Sequence, residues 1–204
     1  MGRPVAVDHA LQAGLIGNPP PLVRENLDDR PVLVLDFDGV VSPLPTTLAD
    51  RQDRGRLLFH GGNPAYVYVI AGYGVGSNYW VPVDLVHAAA ELHRRFQIVW
   101  ASSWGFACRP LAAMFGWPTD LPWVDLVDGF GPVERARVIR RVVGEHRATA
   151  WCDDQQTPSA QRHMSDRTGP TLCISPAKRY GLRAKHIDKL LAFADELSNN
   201  GTAH

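Results

Sequence analysis

The chain has 204 residues, 45% of them hydrophobic and 21% charged, and its 21 basic residues balance 21 acidic ones. That length suits one domain with a substantial core. A formal net charge of zero argues against strong non-specific nucleic-acid binding, which draws on excess cations. No run of about 18 apolar residues exists, so a membrane-spanning helix and a membrane role are not expected.

No apolar segment follows a basic start over Met1–Asp29, so a secretory signal is not expected either. The three cysteines, Cys108, Cys152 and Cys173, are scattered and lack Cys-x-x-Cys spacing. Free thiols in a cytoplasmic protein are the expectation.

Residues 1–30, with Pro19-Pro20-Pro21 in their middle, read as an N-terminal arm. Val32-Leu33-Val34-Leu35 is a continuous apolar run that ends in Asp36, the pattern of a strand buried on both faces. Residues 43–65 are polar and rich in Pro and Gly. Tyr66–Ile70 and Asn78–Val81 are β-branched and aromatic and flank a Gly-rich stretch, which predicts a hairpin. Loop and hairpin together form an insertion over about 43–83. Tyr68, Tyr73, Tyr79 and Trp80 make it a cover for the sheet or a lid.

Val83–Phe96 carries Leu85, Val86, Ala89 and Leu92 at helical spacing. Gln97–Ala101 predicts a second buried strand, running into Ser102-Ser103-Trp104. Arg109–Phe115 reads as a short helix stopped by Gly116, Trp123–Val127 as a weaker strand, and Glu134–Val143 as a helix. Ala148–Cys152 predicts a third buried strand ending at Asp153-Asp154, and Thr171–Ile174 a fourth. Lys185–Leu197 closes the chain as an amphipathic helix, with 199–204 as a tail. Strands alternating with helices predict an α/β fold: one domain over 31–198, a parallel sheet with helices on both faces.

Three of these strands end in polar, reactive side chains: Asp36-Phe37-Asp38-Gly39, Ser102-Ser103 and Asp153-Asp154. Open α/β sheets bind ligands outside the carboxyl ends of their strands, so the three segments are expected to converge. Several carboxylates in one small volume need a cation. Hard oxygen ligands suit Mg²⁺, which then recruits an anionic substrate. If the chain turns at Asp38-Gly39, Asp36 and Asp38 can flank a reacting phosphorus, one attacking and the other handling protons. His60, His87 and His93 show no zinc-ligand pattern.

Leu35-Asp36-Phe37-Asp38-Gly39-Val40-Val41 resembles the first motif of the haloacid dehalogenase (HAD) superfamily of phosphohydrolases. Ser102, after an apolar strand, resembles the second motif, and Asp153-Asp154 the fourth. The third motif is normally a Lys; Arg137 matches it by spacing, with Arg135 as the fallback. The Trp-rich second motif, Trp151-Cys152-Asp153-Asp154 and Tyr180-Gly181-Leu182 are similar to the small HAD-like domain of predicted RNA-repair proteins, over about 31–197.

The resemblance implies a HAD-like Rossmannoid sheet with a minimal hairpin cap. It implies Asp36 as nucleophile through an aspartyl-phosphate, and Asp38 as general acid and base. Mg²⁺ would be held by Asp36, the Asp38 backbone carbonyl, Asp153 and Asp154. Ser102 would hold a phosphoryl oxygen and Arg137 offset charge. The expected function is a Mg²⁺-dependent phosphomonoesterase acting on a large phosphorylated substrate, with a nucleic-acid end as one class. The alternative is a catalytically weak or inactive phosphate- or nucleic-acid-binding module on the same fold. A signalling receiver domain is excluded by motif order, since its acidic pair belongs to the first strand and its phosphorylated Asp to a later one.

Overall fold

Alternation inside the short apolar strands builds the molecule. A computed structural model of the chain describes residues 27–44, 66–71, 77–124, 126 and 130–201. The arm up to residue 26, the loop 45–65, and the Tyr73 and His60 positions lie outside the described residues. Four parallel strands, β1 (Val32–Leu35), β4 (Gln97–Trp100), β5 (Thr149–Cys152) and β6 (Thr171–Ile174), form one sheet in the order β4-β1-β5-β6. An antiparallel hairpin of β2 (Tyr66–Ala71) and β3 (Ser77–Pro82) lies outside that sheet.

Successive side chains of a strand face opposite ways, and both faces are covered here. Leu33, Leu35, Ile98, Trp100, Ala150 and Cys152 pack toward α1 (Val83–Arg95), α4 (Ala184–Gly201) and a 3₁₀ helix (Gly105–Phe115). Val32, Val34, Val99, Ala101 and Trp151 pack toward α2 (Pro132–Val143) and α3 (Pro158–Ser165). All four β1 side chains are fully buried. Each such burial stabilises by roughly 1.5–3 kcal/mol, which fits β1 taking one of the two internal positions of the sheet and reading as unbroken apolar sequence.

Several expectations are adjusted. Of the expected strand Trp123–Val127, the described residues Trp123, Val124 and Leu126 form none; Trp123 makes an isolated bridge to Trp100 at the β4 edge. The short helix begins earlier, at Gly105, and is 3₁₀. Helix α4 runs to Gly201, into the expected tail. Helix α3 is additional: Thr157 caps it by accepting from the Ala160 N–H at 3.3 Å, and Pro158 opens it. The end of the arm is anchored rather than loose. Asp28 N–H donates to Gln97 Oε1 at 2.8 Å, Arg147 donates to the Arg30 carbonyl, and Arg30 donates to the His93 carbonyl. No helix among the described residues is long and apolar enough to cross a membrane.

Candidate active site

Register brings the acids together. Leu35 pairs with Trp100 on one side and Cys152 on the other, and Cys152 pairs with Ile174. The next residue along therefore places Asp36, Ala101 and Asp153 side by side at the carboxyl edge. Neighbouring strands lie about 4.8 Å apart, so Asp36 and Asp153 are neighbours by construction. Asp36 N–H donates to the Cys152 carbonyl at 3.0 Å, Ala101 N–H to the Leu35 carbonyl at 2.8 Å, and Asp153 N–H to the Ile174 carbonyl at 3.2 Å. One ligand oxygen from each of Asp36, Asp153 and Asp154 lies within 4.8 Å of the others.

Asp36 is almost wholly buried, at 3% exposure. Its Oδ1 accepts from the Phe37 N–H at 2.7 Å and its Oδ2 from Arg135 Nη2 at 2.6 Å. Asp153, at 1% exposure, accepts at Oδ2 from Arg135 Nε at 2.9 Å and at Oδ1 from the Gln155 N–H at 2.8 Å. Arg135 Nη2 also reaches the Ala101 carbonyl at 3.3 Å. One guanidinium thus links the ends of three neighbouring strands.

Burial raises the Asp36 pKa to about 7; the Arg135 cation opposes this and the Asp153 charge adds to it. Asp154 is raised to about 6, by burial first and by Asp153 second. Asp154 Oδ1 is buried without a hydrogen-bond partner among the described residues.

The third-motif expectation needs correction. Arg137 lies on the exposed face of α2, and Arg135 enters the site. Residues of a helix advance about 100° each. Ala136, Ile139 and Val143 define the buried arc, with Arg135 at its edge, and Arg137 falls on the far side. The periodicity of the apolar residues carried this signal.

Ser102 is buried close to the Asp36 carboxyl, and its hydroxyl favours the ionised form there. Asp38 is half-buried, and its carboxylate is not part of the three-acid group. The chain turns immediately after β1, with the N–H groups of Val41 and Ser42 donating to the Phe37 carbonyl and Gly39 at φ 76°. That turn carries Asp38 toward the loop after β4, where its Oδ2 accepts from Trp104 Nε1 at 2.9 Å.

A Cβ on Gly39 would stand 2.6 Å from Asp154 Cγ and 2.9 Å from Lys178 Cβ. Glycine here lets the turn press against the acid pair. Lys178 was not singled out by any motif. It sits in the loop after β6, which is tied to the loop after β1 by Leu44 N–H to the Lys178 carbonyl (2.7 Å) and Leu182 N–H to the Val40 carbonyl (2.9 Å). Its charge favours ionised Asp154. Arg179 and Tyr180 follow it on the surface, with the guanidinium 5.4 Å from the ring centroid.

On the insertion, Tyr79 packs edge-on against Phe37 (5.1 Å) and against Trp104 (5.7 Å). The hairpin is thereby in contact with the site. The Tyr68 side chain lies outside the described residues.

The donor set fits a hard divalent cation: three carboxylates, one with an orphaned buried oxygen, at strand ends. No protein-family model matches the chain, and a search of curated proteins finds no match.

Proposed function

We propose that the chain is a Mg²⁺-dependent phosphohydrolase of the HAD type, working through an aspartyl-phosphate on Asp36. The observation that carries this reading is the convergence of Asp36 with Asp153 and Asp154, supported by Arg135. Asp36, Asp153 and Asp154 would hold Mg²⁺, which when bound neutralises charge on the phosphoryl oxygens.

The chain's own residues do the rest. Asp36 attacks phosphorus. Ser102 donates to a phosphoryl oxygen. Arg135 keeps a cation beside the negative charge that develops during transfer. Asp38 protonates the leaving oxygen and then takes a proton from the attacking water.

The cap expected over the site is a loop and one hairpin, without a full helical domain, so a large substrate suits it. Lys178, Arg179 and Tyr180 offer cations and an exposed ring at the rim, which favours a phosphorylated polymer end, nucleic acid included.

The test is hydrolysis of aryl phosphate with Mg²⁺, then of 3′- and 5′-phosphorylated oligonucleotides against sugar phosphates. Turnover that Asp36→Asn abolishes supports the reading, and equal turnover by that variant overturns it. Indifference to the polymer removes the nucleic-acid end.

A second reading is favoured by the same ion pair. Arg135 neutralises part of the charge of Asp36 and Asp153, an arrangement that a non-catalytic phosphate-binding module would also use. Binding of a phosphoryl mimic with no turnover of any ester would select it.

A further inference from the structure

Trp104 stands between β4 and the 3₁₀ helix, and its ring is fixed on two sides. Phe37 lies 5.2 Å away by ring centroids, and Tyr79 of β3 lies 5.7 Å away. Tyr79 and Phe37 meet each other at 5.1 Å, nearly perpendicular. Phe37 is fully buried and is the residue between Asp36 and Asp38. The three rings therefore join the hairpin, the loop after β4 and the turn after β1.

From this wedge the Trp104 indole sends its one N–H to Asp38 Oδ2 at 2.9 Å. An indole N–H donates only. It cannot take the proton that Asp38 exchanges, but it can fix the direction in which the carboxyl faces.

We propose that Trp104 is a positioning residue, which holds the Asp38 carboxyl for proton transfer to the leaving-group oxygen, with Tyr79 of the hairpin setting the indole. This rests on the phosphohydrolase reading. In the first step the Asp36–phosphorus bond forms as the ester O–P bond breaks, and protonated Asp38 gives its proton to the departing oxygen. In the second step a water oxygen bonds phosphorus, the Asp36–phosphorus bond breaks, and Asp38 recovers a proton from that water. Ester plus water thus becomes alcohol plus phosphate.

A leaving group that departs easily as an anion needs little help from Asp38, whereas an alkoxide needs much. Positioned acid catalysis is worth roughly 100-fold or more. The test compares kcat/KM, which covers the first step, for p-nitrophenyl phosphate and for an alkyl phosphate. Trp104→Phe keeps a ring in the wedge and removes the donor.

The expected result is a loss of about ten-fold or more for the alkyl ester with little change for the aryl ester. Asp38→Asn should show the same selectivity, and the double variant should add little to it. Tyr79→Leu loosens the wedge while Trp104 and Asp38 themselves are kept, and should give a smaller selective loss, so the outcome does not hang on one variant folding. Equal losses for both esters, or no loss, overturn the inference and leave Trp104 as packing. A wild-type protein that turns over neither ester overturns the phosphohydrolase reading itself, and the inference with it.

Discussion

Arg135 reaches Asp36 Oδ2 at 2.6 Å through Nη2 and Asp153 Oδ2 at 2.9 Å through Nε, and all three side chains are buried. Like-charged acids on neighbouring strands thereby acquire a shared cation from α2, which packs on the face of the sheet that their side chains share. Burial costs this triad its hydration, and the paired geometry offsets that cost only while every member is present.

Removing the guanidinium should therefore be severe. Arg135→Met leaves two buried carboxylates uncompensated and should cost about 3–5 kcal/mol in urea unfolding. Arg135→Lys keeps the charge but gives up the two-pronged contact, so it should lie between wild type and Arg135→Met and retain turnover. Arg137→Met, on the exposed face, should stay within about 0.5 kcal/mol of wild type. Equal losses at 135 and 137 would contradict the geometry described above.

The pH dependence follows from Asp36 and Asp154. Both stand above the ordinary 3.8, at about 7 and about 6, chiefly because they are buried. Between these limits the folded chain binds more protons than the unfolded one, so their contribution to stability falls as pH rises through the window. Glu91 slopes the other way, held down to about 2 by hydrogen bonds from Arg94 and then Arg95. The readout is therefore the difference in melting temperature between wild type and Asp36→Asn, with chelator present. Wild type should lose ground relative to the variant from about pH 4 to about pH 7, and the difference should level off above that. Added Mg²⁺ competes with those protons and should stabilise more at the upper end. A difference that stays flat across this range would show Asp36 fully ionised throughout and overturn the expectation.

Burial decided what could be read from the chain. Strands covered on both faces show as unbroken apolar runs, so Val32–Leu35 and Thr149–Cys152 were legible together with the acids at their ends. Helix α3 was not: it has eight residues, mostly polar, with only Ala160 and Met164 buried, and its one local signal was the Thr157-Pro158 start. The Arg135 position was written in helical phase but obscured by motif spacing, which favoured Arg137. Lys178 and the Trp104–Asp38 bond belong to loop packing, where contacts between distant segments leave no period in the sequence.

The thiols should be silent in the native state. Burial raises the Cys108 and Cys152 pKa values strongly and the Cys173 value to about 11, and all three are free. Thiolate is the reactive form. A disulfide reagent at neutral pH should label none of them quickly, Cys173 being the first to react because it is only partly buried, and all three should react in denaturant. Rapid native labelling of Cys108, which lies beside Ser102, would mean that the 3₁₀ helix opens.

Gly39 offers a test of the close approach between the turn after β1 and the acid pair. At φ 76° any other residue is strained, which alone costs about 1–2 kcal/mol. Gly116 isolates that cost, because at φ 67° its added Cβ would meet nothing within 4 Å. At Gly39 the added carbon would also stand 2.6 Å from Asp154 Cγ, a distance at which something must move. The neighbouring Asp153 is pinned by Arg135 and Gln155, so Asp154 is the group that gives way. Gly116→Ala should lower stability by about the strain alone and leave Mg²⁺ affinity unchanged. Gly39→Ala should lower stability further and weaken Mg²⁺ binding about ten-fold or more, read by titration calorimetry, because an acid that supports the ion is displaced. Equal Mg²⁺ affinity in the two variants would mean that Asp154 contributes nothing to the metal.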